Sequence, residues 1–231
     1  MTAPVAVLFD LDDTLYPERE FVDGGFGAVA RFLSTRLEAT PEALTRRLLE
    51  LHDRDGRGRL FDTLLAEHDL AEDRALVLAC LLVYRTHAPA LAPYEGVVET
   101  LAALRAAGLR TGLVSDGEAS VQRRKLAALP TVAAHLDQVV FTDEIGPDHW
   151  KPSPTAFRVA CRLLDVDPAA TVYVANDPRK DFVGARAAGL RTIRVGRLPD
   201  EGGAKMVEFE AGDDADRHVD RFADLPAALR R

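Results

Sequence analysis

Asp10, Asp12 and Thr14 follow directly on the apolar run Val5-Ala-Val-Leu-Phe9. A short apolar run that stops at a polar cluster reads as a buried strand of a parallel sheet, with the acids at its carboxyl end. Ligands of open α/β sheets bind just outside those ends. Residues two apart on an extended strand point the same way, so Asp10 and Asp12 can share a pocket if strand geometry persists. If the chain turns after Asp10, the roles separate: one acid is a nucleophile or metal ligand, the other a general acid/base. Two close carboxylates repel, and they call for a cation or a shared proton. Mg²⁺, a hard ion that takes oxygen ligands, is the natural choice. The same residues also suit a plain turn or a capped helix start.

The rest of the chain repeats this arrangement. Leu109 to Val114 reads as a second strand, ending in Ser115-Asp116-Gly117. Gln138 to Phe141 is a third, and Lys151-Pro-Ser-Pro154 opens a helix that runs through Leu164. Thr171 to Ala175 is a fourth, ending in Asn176-Asp177-Pro-Arg-Lys-Asp181, and Leu190 to Val195 is a fifth. Gly108 and Gly189 close the helices before the second and fifth strands. Strands alternating with helices imply right-handed βαβ units and an α/β fold with a doubly wound parallel sheet. In such a sheet the strand ends converge on one edge. Asp10, Asp12, Thr14, Ser115, Lys151, Asn176, Asp177 and Asp181 are therefore expected together.

The alternation is interrupted after the first strand. From Glu18 to about Leu91 the chain reads as helical, with Leu37, Leu44, Leu48 and Leu51 at helical spacing. Thr40-Pro41-Glu42 has the form of an N-cap followed by Pro at the first helical position. Asp55-Gly-Arg-Gly-Arg59 breaks the pattern, and Pro89 and Pro93 mark the return. The expected organisation is a core of residues 1–16 and 92–231, with a helical cap inserted at 17–91. Residues 197–216 read as a Gly- and acid-rich loop. A short strand over His218–Phe222 and a terminal helix over Pro226–Arg231 are expected to follow.

Composition sets limits on partners. The chain has 231 residues, a formal charge of −8 and a pI near 5.3. No basic face is forced, which disfavours nucleic acid. An acidic protein that binds phosphate must gather local positive charge from a metal, Lys or Arg. No run is apolar and long enough for a membrane span, and the amino-terminal residues do not read as a secretory signal. Cys80 and Cys161 have neither metal nor redox spacing, so buried free thiols in a reducing cytoplasm are expected. The expected partner is a small molecule, bound by a monomer or homodimer.

Taken in order, these motifs resemble those of the haloacid dehalogenase-like hydrolases, most of which are Mg²⁺-dependent phosphatases. Asp10-Leu-Asp-Asp-Thr14 is similar to the family's D-x-D-x-T, and Ser115 ends an apolar strand as its second motif requires. Lys151-Pro-Ser-Pro154 is similar to the third motif, and Ala175-Asn-Asp-Pro-Arg-Lys-Asp181 to the acidic fourth. The resemblance covers nearly the whole chain. A helical insert between the first two motifs is similar to the family's α-helical cap class. The resemblance implies that Asp10 attacks phosphorus to give an aspartyl-phosphate. Asp12 then serves as acid and base, and Lys151 neutralises the nucleophile. Thr14, Ser115, Asp116 and Gly117 become phosphate- or substrate-side residues. Mg²⁺ is implied between Asp10, the Asp12 backbone carbonyl and an oxygen of the fourth motif. An acid at position 12 favours phosphatase chemistry over dehalogenation.

Two departures accompany the resemblance. The fourth motif usually begins Gly-Asp; here Ala175-Asn176 stands in its place, with the acid one residue later at Asp177. Either Asn176, through its neutral carbonyl oxygen, or Asp177 is then the ligand, supported by Asp181. The loss of one negative charge implies weaker Mg²⁺ binding, and at the extreme a catalytically weak phosphate-binding or regulatory protein. A phosphomutase using the same residues is a further alternative. The second motif carries Asp116 where Asn is frequent; it either adds negative charge near a phosphate site, points toward the cap or carries substrate selectivity. Arg57 and Arg59 between cap helices are either a solvated turn or a specificity loop for an anionic substrate. Tyr16 and Phe21 either line the pocket or pack the cap hinge. Arg179 and Lys180 are expected to be exposed.

Overall fold

The computed structural model describes residues 3–196 and 211–230. The chain divides into two compact units, one of helices over residues 18–90 and one containing the sheet.

Six strands form the sheet: β1 (Ala6–Phe9), β2 (Arg110–Ser115), β3 (Gln138–Phe141), β4 (Thr171–Ala175), β5 (Arg191–Val195) and β6 (Arg217–Val219). Their spatial order is β3-β2-β1-β4-β5-β6, and every pairing is parallel. The chain winds outward from β1 through β2 to β3, then returns to the other side of β1 for β4, β5 and β6. The order therefore reverses between β1 and β4, which opens a crevice at their carboxyl ends. Asp10 lies at the end of one of these strands and Asn176 at the end of the other.

β1 is apolar throughout because both its faces are covered; all four of its residues are fully buried. On one face Ala6 and Leu8 pack with Val114, Val140 and Tyr173 against α8 (Thr155–Leu164) and α9 (Phe182–Ala187). Alternation sends Phe9 to the other face, where its ring stacks 6.2 Å from Phe222, just before the helix Leu225–Leu229. Buried Val97, Leu101 and Leu104 of α5 (Val97–Ala106) face the sheet through β2. The result is the α/β doubly wound architecture, with helices on both faces of the sheet.

The helical unit consists of α1 (Glu18–Ser34), α2 (Pro41–Asp55), α3 (Leu60–Ala66) and α4 (Arg74–Thr86). Phe26, Val29, Leu33, Leu44, Leu48, Leu51, Leu64 and Cys80 form its own core. Thr40 caps α2, its hydroxyl accepting from Ala43 N at 3.2 Å, with Pro41 at the first turn. α2 ends at Gly56, where φ is +71°.

Some boundaries differ from expectation. The chain after Gly117 forms α6 (Ala119–Ala127), and Pro130 starts a further short helix, α7 (Pro130–Ala133). Thr142–Glu144 and Pro147–His149 form two 3₁₀ turns ahead of Lys151. The last strand covers only Arg217–Val219. Of the loop expected over 197–216, residues 197–210 lie outside the described residues.

Candidate active site

The chain turns immediately after Asp10. Asp10 N still donates to Val174 O of β4 at 3.0 Å, but Thr14 N and Leu15 N both turn back to Leu11 O. Asp13 takes φ +55°, a left-handed conformation that Asp tolerates better than most residues. The two acids consequently leave the strand in different surroundings, and each meets its own lysine.

Asp10 is fully buried. Its Oδ1 accepts from Lys151 Nζ at 2.7 Å, and the same ammonium reaches Asp181 Oδ1 at 2.7 Å and the Tyr173 hydroxyl at 3.1 Å. Tyr173 in turn donates to Asp181 Oδ1 at 3.2 Å. Asp10 Oδ2 has no hydrogen-bond partner among the described residues. Burial pushes the Asp10 carboxyl above the usual carboxylate range, despite the opposing charge of Lys151. Burial acts against the Lys151 ammonium as well, but Asp10 and Asp181 outweigh it and hold this cation well above its ordinary value.

The loop bearing Lys151 is seated by α9. A Cβ on Gly184 would lie 2.1 Å from Pro152 O, so this helix position admits only glycine while the loop backbone lies against it. Asp116 holds the loop from the other side. Its Oδ1 accepts from Lys151 N at 3.2 Å and from Thr142 Oγ1 at 2.7 Å. The Asp116 side chain, read from sequence as a substrate-side group, thus braces the third motif.

Asp12 is held by three side chains. Lys125 Nζ lies 2.8 Å from Oδ1 and 2.9 Å from Oδ2; Tyr16 OH donates to Oδ1 at 2.6 Å, and Gln122 Nε2 to Oδ2 at 2.9 Å. Burial disfavours the Asp12 carboxylate, but the Lys125 charge and the donated hydrogen bonds prevail and its pKa falls below the usual range. Gln122 Nε2 also donates to Ser115 Oγ at 2.7 Å. Tyr16, open in the sequence between pocket and hinge, is fully buried beside Asp12.

Gln122, Lys125 and Tyr173 lie outside the four motifs. Gln122 and Lys125 are three residues apart on α6, hence on one face. That spacing was a signal, but Lys125 follows Arg123 and Arg124, and one sequence does not tell which cation turns inward. Tyr173 sits in an apolar strand where an aromatic residue reads as core.

In the fourth motif Asn176 is buried, and its Oδ1 accepts from Thr14 Oγ1 at 3.1 Å. Asp177 is bound by Arg179 through Nε at 2.7 Å and Nη2 at 2.8 Å, and takes Arg179 N at 3.0 Å. Burial raises the Asp177 carboxyl, but the hydrogen bonds from Arg179 outweigh this and lower it overall. Asp181 Oδ2 accepts from Asp177 N at 3.1 Å, which closes the loop. Arg179 is exposed as expected. Lys180 is half-buried instead, because the backbone turn toward Asp181 brings its ammonium into the field of Asp10, Asp181 and Asp177. Burial and the Lys151 charge oppose that ammonium, but the three acids outweigh them and raise its pKa.

The oxygen set fits a hard divalent cation of reduced site charge. It includes the bare Asp10 Oδ2, the neutral Asn176 carbonyl and the acid of Asp181. Among the described residues no group of three or more His, Cys, Asp or Glu is placed to hold a metal ion. Arg57 and Arg59 lie in the helical unit, Arg57 paired with Glu18 and Arg59 3.4 Å from Asp62.

The sheet thus carries an acid pair at its switch point, a buried lysine bridging two acids and a serine on the neighbouring strand, at the edge where α/β enzymes place their chemistry. Residues 5–189 match the model of the haloacid dehalogenase-like hydrolases, and the chain belongs to that family. It is 35% identical over 97% of both chains to a glyceraldehyde 3-phosphate phosphatase of Methanopyrus kandleri. It is 32% identical to a plasmid phosphoglycolate phosphatase of Cupriavidus necator, covering 97% of this chain and 92% of that one. A 2-haloacid dehalogenase of Pseudomonas syringae has a similar structure, with a TM-score of 0.65, 25% identity and 99% of each chain covered.

Proposed function

We propose that this hydrolase is a Mg²⁺-dependent phosphatase that acts on a short-chain phosphomonoester through an aspartyl-phosphate at Asp10. The single observation that carries this reading is the contrast at the end of β1. Asp10 keeps one buried carboxylate oxygen bare, beside an Asp12 whose two oxygens are both filled by donors. A bare, desolvated oxygen suits attack on phosphorus or a cation, and a held neighbouring acid suits proton transfer.

In the first step an Asp10 oxygen bonds to phosphorus as the bond to the leaving oxygen breaks, and Asp12 gives its proton to that oxygen. The incoming phosphate charge favours the protonated form of Asp12 that this step requires. In the second step water attacks phosphorus, the Asp10 oxygen departs as carboxylate, and Asp12 takes the proton from water. Lys151 balances Asp10 and Asp181 throughout, while Ser115 donates to a phosphoryl oxygen. When bound, Mg²⁺ supplies neutralisation of the nucleophile and the phosphoryl group. Asp10, Asn176 and the Asp12 backbone carbonyl would hold it, with Asp181 in support. Asn176 is preferred to Asp177 here because Arg179 already engages both oxygens of Asp177.

Dehalogenation is the alternative raised by the structural relative. A halide leaves without a proton, so it has no need of the built carboxylate at Asp12. The names of the two curated relatives support a small, anionic, few-carbon substrate. Buried thiols at Cys80 and Cys161, the first raised to about 11 by burial, support residence in a reducing compartment such as the cytoplasm. Among the described residues no helix is long and apolar enough to cross a membrane.

The test is phosphate release from p-nitrophenyl phosphate, glyceraldehyde 3-phosphate and phosphoglycolate, with Mg²⁺ and with EDTA, for wild type and Asp10→Asn. Metal-dependent release that is lost in the variant is expected. Release insensitive to both EDTA and the substitution would sink the reading. A folded protein that binds these esters without turnover would instead favour the weak-binder alternative suggested by Asn176.

A further inference from the structure

Resting on the phosphatase reading, we propose that Gln122 and Lys125 are positioning residues that lock the Asp12 carboxylate and the Ser115 hydroxyl into one unit. They govern the proton-transfer half of the reaction and leave attack by Asp10 untouched.

The two buried residues of α6 are polar: Gln122 is 1% exposed and Lys125 4%. Burying an amide and an ammonium is costly unless both are hydrogen-bonded, so an inward face of this kind requires fixed partners. Both find them at Asp12. Lys125 reaches its two oxygens at 2.8 and 2.9 Å, and Gln122 Nε2 reaches Oδ2 at 2.9 Å. The same Gln122 amide also donates to Ser115 Oγ at 2.7 Å. Because Ser115 accepts there, its own hydrogen is free to be directed elsewhere, to a phosphoryl oxygen. One amide group therefore sets the angle of the acid and the orientation of the hydroxyl together.

The second motif is shaped around this clamp. Gly117 has φ +115°, and a Cβ there would lie 3.3 Å from Gln122 Cδ. The start of α6 is pinned independently, Ala119 N donating to Asp143 Oδ2 at 3.0 Å. Asp10 is served from the third motif instead, by Lys151 Nζ at 2.7 Å.

The leaving group separates this proposal from a general structural role. An alkoxide needs the proton that Asp12 supplies, whereas p-nitrophenolate departs without it. Lys125→Met is measured on glyceraldehyde 3-phosphate and p-nitrophenyl phosphate, with thermal melting as the folding control. The expected kcat/KM falls about 30-fold or more for the alkyl ester and less than about threefold for the aryl ester. Hydrolysis of the phosphorylated enzyme also slows, so p-nitrophenolate appears in a burst. Gln122→Met, which also releases the Ser115 hydroxyl that both esters use, costs about tenfold on the alkyl ester and a smaller, about threefold, loss on the aryl ester, and it serves as the test if Lys125→Met does not melt cooperatively. Equal losses on both esters, or no loss on either, would overturn the clamp. Wild-type enzyme inactive on both esters, or an active Asp10→Asn, would overturn the phosphatase reading itself, a separate result.

Discussion

The two sides of the β1 terminus use the same chemistry to opposite ends. On one side Lys151 is shared by Asp10, Asp181 and Tyr173, and Asp10 is left with an unfilled oxygen. On the other, Lys125 spans both oxygens of Asp12, and Gln122 and Tyr16 add a donor to each. Burial raises the Asp10 carboxyl, while the collected donors bring Asp12 down. Under the proposed mechanism, the carboxylate that forms a bond is kept under-solvated and the one that passes a proton is held at fixed orientation. Two residues of sequence separation and one left-handed turn at Asp13 create the difference.

The comparison breaks most completely at Asp10. Asp10→Asn is expected to lower phosphate release by roughly 10⁴-fold or more, since a neutral amide is a far poorer nucleophile toward phosphorus than a carboxylate. Lys151→Met leaves Asp10 and Asp181 buried without their cation. It should cost roughly 3–5 kcal/mol by denaturant melts and at least about 10²-fold in kcat. Gly184→Ala tests the same side from a distance. The Cβ must push the Lys151 loop, at about 1–3 kcal/mol, with a loss of kcat larger than the rise in KM.

Asn176→Asp restores a charge on the Asp10 side and should tighten Mg²⁺ by about tenfold in calorimetric titration. An unchanged affinity would mean that position 176 is not a ligand. The smallest effect is the sharpest on the comparison itself: the melting temperature in EDTA of Asp10→Asn against Asp12→Asn. The raised Asp10 carboxyl contributes stability below its unfolded pKa, and that contribution is lost as pH rises, so its neutral amide should melt higher than wild type at pH 7. The lowered Asp12 carboxyl contributes stability above its unfolded pKa, lost as pH falls, so its amide should melt lower at pH 7. Both differences should shrink as the buffer approaches pH 3. Shifts of the same sign at pH 7 would erase the contrast.

Much of the architecture could be read from local pattern. Apolar runs of four to six residues, the closing glycines and the Thr40–Pro41 start needed only neighbours in sequence. So did the expectation that polar strand ends converge, because parallel winding forces it. What local pattern left unmarked lies in the connections: Pro130 starts a short helix after α6, and two 3₁₀ turns carry the chain to Lys151. Asp116 illustrates the limit. Its charge was legible, but its direction depended on Thr142 and the Lys151 backbone, some 26 and 35 residues away.

The sequence by itself determined the residue types and their order: two acids after a buried strand, a serine, a lysine and an acidic loop, the order that carries the resemblance to the haloacid dehalogenase-like hydrolases. It also carried the amide at 176 and its missing charge. Tertiary structure decided which lysine serves which acid. Lys125, Lys151 and Lys180 are equivalent as residue types, and only the packing of α6 and α9 on the sheet brings one ammonium to Asp12, one between Asp10 and Asp181, and one to their edge. The reason is physical: periodicity encodes the burial of apolar groups, whereas the pairing of buried charges depends on distances of a few ångströms that only the folded backbone sets.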